Sequence, residues 1–396
     1  GYLLSKAAIP RGAVIVEMDG KTVLDLDDFE AALNELGDGE RAQVRYVTME
    51  NPQNSIVRLL EMDRVWFPAR RCARDDAKGF WPCRELAAGP PPADPVVGST
   101  QFTRYSDPVA RAIAPSLVIV TFDLPYTLSG VADRHYYGTG VIVDKERGYV
   151  LVDRNTVPLA IGDVTITFAG SLEVKGKIEQ LHPLHNLAIV SYDPSSIGTT
   201  PVKQAGFTNA TLAPGDEVWV VGIKSDHQLL HQKSTVASVD PLLLPLSRTL
   251  RFRDSNIEGI TLVNAPNEID GVIVNRKGQV AATWSSFVVQ SGGDSSQVNR
   301  GISSDLVRQF VETVKSGRPF YSLEAEFVYS PLFAARKMGV DEDWIERLEK
   351  NNPLRRRALV ITRIVAGTDA ASNLRNGDMV MAIDGKVVTS YRELEE

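Results

Sequence analysis

Through the middle of the chain, short apolar and β-branched runs alternate with turns built from Gly, Pro, Asp and Asn. Runs at 117–122, 140–143, 149–152, 164–168, 187–192, 217–221, 235–239, 259–263, 272–274 and 280–284 all have strand length. Strands this short and this evenly spaced predict a mainly β body, a barrel or a sandwich. One helix closes it: Ser303 and Ser304 offer an N-cap, Asp305 and Lys315 complement the helix dipole, and Gly317 offers the C-cap.

A different pattern stands at each end. Arg11-Gly12-Ala13-Val14-Ile15-Val16-Glu17-Met18-Asp19-Gly20-Lys21-Thr22-Val23 aligns without a gap on Asn376-Gly377-Asp378-Met379-Val380-Met381-Ala382-Ile383-Asp384-Gly385-Lys386-Val387-Val388. In both, an apolar strand runs into an Asp-Gly turn, and such a repeat means one module used twice. The front copy continues into an acidic helix start at Asp25–Asp28 and an alternating strand at 42–47. Between this module and the body, residues 66–100 carry Cys72, Cys83 and the run Gly89-Pro90-Pro91-Pro92-Ala93-Asp94-Pro95, which suits neither a helix nor an inner strand. The resulting division is 1–65, a linker at 66–100, the body at 101–322 and the second module at 323–396.

Composition narrows the function. A length of 396 residues calls for two or three domains, and 43% hydrophobic with 23% charged residues is ordinary for a globular chain. A net charge of -7 and a pI near 5.5 argue against nucleic acid as a partner. No apolar run approaches the roughly 20 residues of a membrane helix. Two cysteines fit a reducing compartment and read as free thiols, because no further ligands follow at zinc spacing. The pairs His182/His185 and His227/His231 have metal-like spacing, but without a carboxylate cluster they read as surface histidines. No metal or cofactor is expected. The chain opens on Gly1 and stops within a helix start at Tyr391–Glu396, as a piece of a longer protein would.

Four segments of the body, taken in order, resemble the HtrA/Deg serine proteases. These are Gly138-Thr139-Gly140-Val141-Ile142 with Tyr149-Val150-Leu151-Val152-Asp153-Arg154-Asn155-Thr156-Val157; His182-Pro183-Leu184-His185-Asn186-Leu187-Ala188; Gly215-Asp216-Glu217-Val218-Trp219-Val220-Val221-Gly222; and Asn267-Glu268-Ile269-Asp270-Gly271-Val272-Ile273-Val274-Asn275. The resemblance implies a trypsin-like double β-barrel, flanked by two truncated PDZ-like α+β modules. It also places Asn155 where the family carries its catalytic His, Asn186 where it carries Asp, and Ile269 where it carries the Ser nucleophile.

These three replacements remove the chemistry. A triad needs a nucleophile, a base to take its proton and a group to orient the base. Ile269 has no nucleophilic atom, Asn155 takes no proton near neutrality and Asn186 brings no charge. Loss of the nucleophile or base alone costs about a million-fold in a well-studied member of this mechanistic class. No catalytic residue is assigned to the body, which reads as a degenerate protease domain. The alternative of another class is a hydrolase with an unorthodox site around His185.

The PDZ resemblance implies peptide binding by strand addition, with backbone N–H groups holding a terminal carboxylate. In the second module Lys337-Met338-Gly339-Val340 is the candidate loop, which assigns Met338, Gly339 and Val340 to the peptide; Met338 and Val340 read equally well as core. The whole arrangement resembles the back half of fungal nuclear HtrA-like serine proteases described as pro-apoptotic. That implies an endopeptidase parent with a working N-terminal protease domain, polypeptides or C-terminal peptides as partners, room for a homo-oligomer, and a nuclear address.

Overall fold

The computed structural model describes the chain apart from residues 88, 92–96, 129, 130, 132, 245–253, 292, 293 and 396. Pro92, Ala93, Asp94 and Pro95 of the proline-rich run lie outside the described residues. Contacts divide the chain into two units, Gly1–Val97 with Asp123–Thr127, and Gly98–Phe122 with Leu128–Glu396.

In the first unit, α1 (Tyr2–Lys6) precedes β1 (Val14–Met18), β2 (Lys21–Thr22), α2 (Leu26–Asn34), β3 (Arg41–Thr48) and β4 (Asn51–Glu61). The strands form one antiparallel sheet in the order β2-β1-β3-β4. Met18, Val44, Tyr46 and Leu60 leave water on one face of the sheet and meet Ala32, Leu33 and Leu36 of the α2 segment. The α2 start follows from sequence, since the Asp25 carboxylate accepts from the N–H of Asp27 at 2.8 Å and of Asp28 at 3.1 Å.

The segment expected as a linker contains a further hairpin, β5 (Arg70–Cys72) with β6 (Cys83–Glu85). Its register sets Cys72 directly opposite Cys83, with Cα atoms 4.0 Å apart, and the two are joined as a disulfide. This corrects the expectation of free thiols. Neither strand has an apolar alternation, so the pairing that brings the cysteines together left no pattern to read.

The second unit begins with α3 (Pro108–Ile113) and then builds two closed antiparallel barrels. The first contains β7 (Leu117–Asp123), β8 (His135–Asp144), β9 (Tyr149–Val152), β10 (Asp163–Phe168), β11 (Leu172–Leu181) and β12 (Ala188–Tyr192). The second contains β13 (Glu217–Ile223), β14 (Leu229–Pro241), β15 (Glu258–Leu262), β16 (Gly271–Val274), β17 (Val280–Ser291) and β18 (Asp294–Ser303). Val141, Leu151 and Ile189 of the first barrel and Val221, Val272 and Val274 of the second belong to one continuous core, so the barrels pack on each other. The fold is therefore the expected mainly β double barrel. Two strands escaped the apolar pattern: β11 alternates with charges (Glu173, Lys175, Lys177, Glu179), and β18 is polar but pairs with β17 over ten residue pairs.

Helix α4 (Ser304–Ser316) closes the body, with Gly317 at φ +64° as its C-cap and Asp305 and Lys315 at the expected ends. The Ser303 side chain makes no cap hydrogen bond, and the Ser304 hydroxyl instead donates to the Thr208 carbonyl at 3.1 Å. Beyond it lie β19 (Ala325–Pro331), α5 (Leu332–Lys337), α6 (Glu342–Asn351), β20 (Arg357–Ile364), α7 (Asp369–Asn373), β21 (Met379–Val380), β22 (Ala382–Ile383), β23 (Lys386–Val387) and α8 (Tyr391–Glu395). Strands β19, β20 and β21 form a sheet in that order, which leaves β19 at an edge. The internal repeat is also a repeat of geometry: Asp19-Gly20 at φ +49° and +75° and Asp384-Gly385 at φ +48° and +79° turn β1 into β2 and β22 into β23 in the same way.

Candidate functional site

The turn after β9 puts Asn155 in place. The Asp153 carboxylate accepts from the Thr156 N–H and hydroxyl, both at 2.8 Å, which locks residues 153–156 into one loop. Gly138 lets that loop approach β8, because a Cβ there would lie 2.2 Å from the Thr156 hydroxyl oxygen. Asn186, just before β12, is fully buried. Its Oδ1 accepts from the Arg154 N–H at 2.7 Å, and its own N–H donates to Asp254 at 2.7 Å. The Asn186 amide also donates to the Ser286 carbonyl at 2.6 Å, and the Asn155 amide donates to that same oxygen.

Ser286, on β17, is therefore the centre of the site, and nothing in the sequence marked it. Its N–H and hydroxyl donate to Asp153 at 3.0 and 3.2 Å. The hydroxyl also hydrogen-bonds the Asp270 carboxyl, which the Asn299 amide reaches at 3.3 Å. The same amide donates to the Ile269 carbonyl at 3.0 Å. The structure thus gathers the loop carrying Ile269 and the two asparagines around one residue. Ile269 itself points away from any chemistry: it is 3% exposed and packs with Val218, Val220, Ile273 and Trp284 in the second barrel's core.

The carboxyls around Ser286 and Asn186 are buried and pushed toward their neutral form. Burial pushes the Asp270 carboxyl well above the carboxylate range, and the negative charge of Asp153 pushes it further. Burial also raises Asp153, against the hydrogen bonds from Thr156 and Ser286. Asp254 is pushed up to about 7 by burial, with His185 and Arg154 opposing the shift.

Of the histidines expected at the surface, His227 and His231 are exposed, but His182 and His185 are not. His182 and His185 are buried with ring centroids 4.6 Å apart, and His182 meets Phe310 and Phe320 edge-on. Burial, then the neighbouring His185 and Arg154, hold His182 down at about 2, so it stays neutral. Its Nδ1 accepts from the N–H of Leu184 and of His185 at 3.1 and 2.9 Å. Both rings line a cavity of about 580 Å³, bounded also by Asn256, Phe310, Arg318, Tyr321, Leu323 and Leu394. Among the described residues, no three His, Cys, Asp or Glu side chains cluster as metal ligands.

Met338, Gly339 and Val340 follow α5. Their N–H groups donate to the carbonyls of Ala334 and Ala335, of Arg336 and of Ala335, so they end a helix and do not point at an open edge. Val340 packs against the Leu332, Ala335 and Ile345 cluster, while Met338 is exposed.

No protein-family model matches the chain. A PDZ domain-containing protein of Schizosaccharomyces pombe is 30% identical over 396 residues, covering 97% of this chain and 39% of the relative. The pro-apoptotic serine proteases of Phaeosphaeria nodorum and Neosartorya fischeri are 28% and 27% identical, each over 97% of this chain and 39% of their own length. The chain thus spans about two fifths of the curated relatives it matches. Among solved structures, the HtrA-type protease AlgW with a tripeptide shares the fold at a TM-score of 0.50 and 15% identity, over 72% of this chain and 85% of that one. Over nearly its whole length the chain is thus similar in sequence to part of these fungal pro-apoptotic serine proteases, and it shares its fold with an HtrA-type protease.

Proposed function

We propose that this segment is a peptide-binding and regulatory part of an HtrA-like serine endopeptidase, without hydrolytic activity of its own. One observation carries the reading: where the fold presents a nucleophile, base and orienting acid, this chain presents Ile269, Asn155 and Asn186, and the asparagines are engaged on the Ser286 carbonyl. In the parent protein, hydrolysis falls to a working protease domain elsewhere, and this segment supplies substrate contact, regulation or assembly, including self-association. The PDZ-like repeat supports polypeptides or C-terminal peptides as partners, and an HtrA-type neighbour is solved with a tripeptide. A nuclear, apoptosis-linked role is proposed on the relatives' kinship alone.

A second reading has one observation in its favour. His185, which lines a cavity, interacts electrostatically with the buried Asp254, an imidazole–carboxylate pairing that a hydrolase uses. Casein turnover by the chain, abolished by His185→Ala, would establish this reading in place of the first.

A further inference from the structure

An edge strand offers alternate N–H and C=O groups to an added strand. In β19 those groups are already taken, and by side chains. Asn256, in the loop before β15, donates its Nδ2–H to the Ala325 carbonyl at 2.8 Å and accepts the Phe327 N–H on Oδ1 at 2.9 Å. One carboxamide therefore occupies an outward-facing acceptor and an outward-facing donor that an added strand would need. The Tyr391 hydroxyl on α8 holds the next group, donating to the Phe327 carbonyl at 2.9 Å while its ring stacks on Tyr329 at 4.4 Å.

The place where this closure sits also matters. Asn256 lines the 580 Å³ cavity, together with Tyr321, Ser322 and Leu323 just before β19 and Leu394 on α8. A chain added antiparallel to β19 would run toward Ala325 and end at this cavity, where the exposed Arg318 guanidinium supplies positive charge for a terminal carboxylate.

We propose that Asn256 closes the outer edge of β19 in cis, and that an extended peptide with a free C-terminal carboxylate adds there only by displacing it. The inference rests on the peptide-binding reading above and adds to it a latch carried by the protease-like body. Each peptide must break the two hydrogen bonds of Asn256, and one that pairs with the Phe327 carbonyl must also displace the Tyr391 hydroxyl, so the latch lowers apparent affinity about tenfold or more.

Asn256 has φ +56°, a left-handed conformation that glycine adopts freely, so Asn256→Gly removes the latch without straining the loop. Asn256→Asp keeps the acceptor for Phe327 and loses the donor to Ala325. The probe is a set of four fluorescein-labelled decapeptides with free carboxylates, differing only in a last residue of Val, Leu, Ile or Phe. Fluorescence anisotropy on the full chain should show at least one of them binding Asn256→Gly about tenfold more tightly than wild type, with Asn256→Asp between. The Phe327 amide should exchange faster in Asn256→Gly alone and regain protection with peptide. Equal affinities within twofold for all three proteins would overturn the latch and leave peptide binding standing. Binding by none of them, with faster Phe327 exchange in Asn256→Gly, would overturn the peptide-binding reading and reduce Asn256 to a structural cap.

Discussion

Asn155 and Asn186 share a single acceptor, the backbone oxygen of Ser286. Together they form a clamp that holds β17 against the first barrel. Their costs on removal should differ. Asn186→Ala empties a fully buried site and strands the part-buried Arg154 N–H, and should cost about 2–3 kcal/mol, whereas Asn155→Ala leaves Ser286 still paired and should cost about 1 kcal/mol. Urea denaturation checks the order, and a larger loss at Asn155 would contradict the clamp.

Ile269 behaves as core. Its 3% exposure and its apolar neighbours predict a loss of about 2–5 kcal/mol for Ile269→Ala. Thermal or chemical unfolding measures this directly. A loss below 1 kcal/mol would show that the side chain is not packed as described.

The buried carboxyls give stability a pH slope. Asp153, Asp254 and Asp270 all hold protons in the folded chain at pH values where the unfolded chain has lost them. Their raised values therefore make stability fall as pH rises from the ordinary carboxylate range near 4 toward about 7. Asp270→Asn keeps the shape and removes the charge facing Asp153. Its melting temperature should exceed wild type at pH 8 and converge with it near pH 4. A gain independent of pH would exclude ionisation as the cause.

Acid acts oppositely at His182. The folded chain keeps this ring neutral down to about 2, while the unfolded chain protonates it below about 6.5. Stability from this residue is thus present above pH 6.5 and lost as pH falls. The Cε1–H resonance of His182 should stay flat from pH 8 to pH 5, and a midpoint near 6.5 would place the ring in water instead.

The hairpin at Cys72 and Cys83 should carry no free thiol. Iodoacetamide should leave the non-reduced chain unmodified and add two groups after reduction under denaturing conditions. Alkylation without reduction would restore the free-thiol reading.

Much of this molecule could be read from its sequence, for physical reasons that also mark the limits. The barrel strands declared themselves because their apolar runs face a shared core, and the Asp-Gly repeat did so because that turn demands two left-handed residues. Strands β11 and β18 were silent because their side chains are charged or polar. Motif order singled out Asn155, Asn186 and Ile269, and the structure brings their loops together around Ser286. Ser286, Asp254, Asn299 and Asn256 could not be singled out, since each acts across dozens of residues through one hydrogen-bonding side chain or backbone group in an ordinary sequence setting.

The most direct test of the proposal that the body is inactive is treatment of the full chain with a fluorophosphonate serine probe, alongside a casein turnover assay. Neither labelling nor turnover is expected, because the Ser286 hydroxyl is held by Asp153 and Asp270. A covalent adduct on any serine between residues 101 and 322, accompanied by casein cleavage, would contradict it.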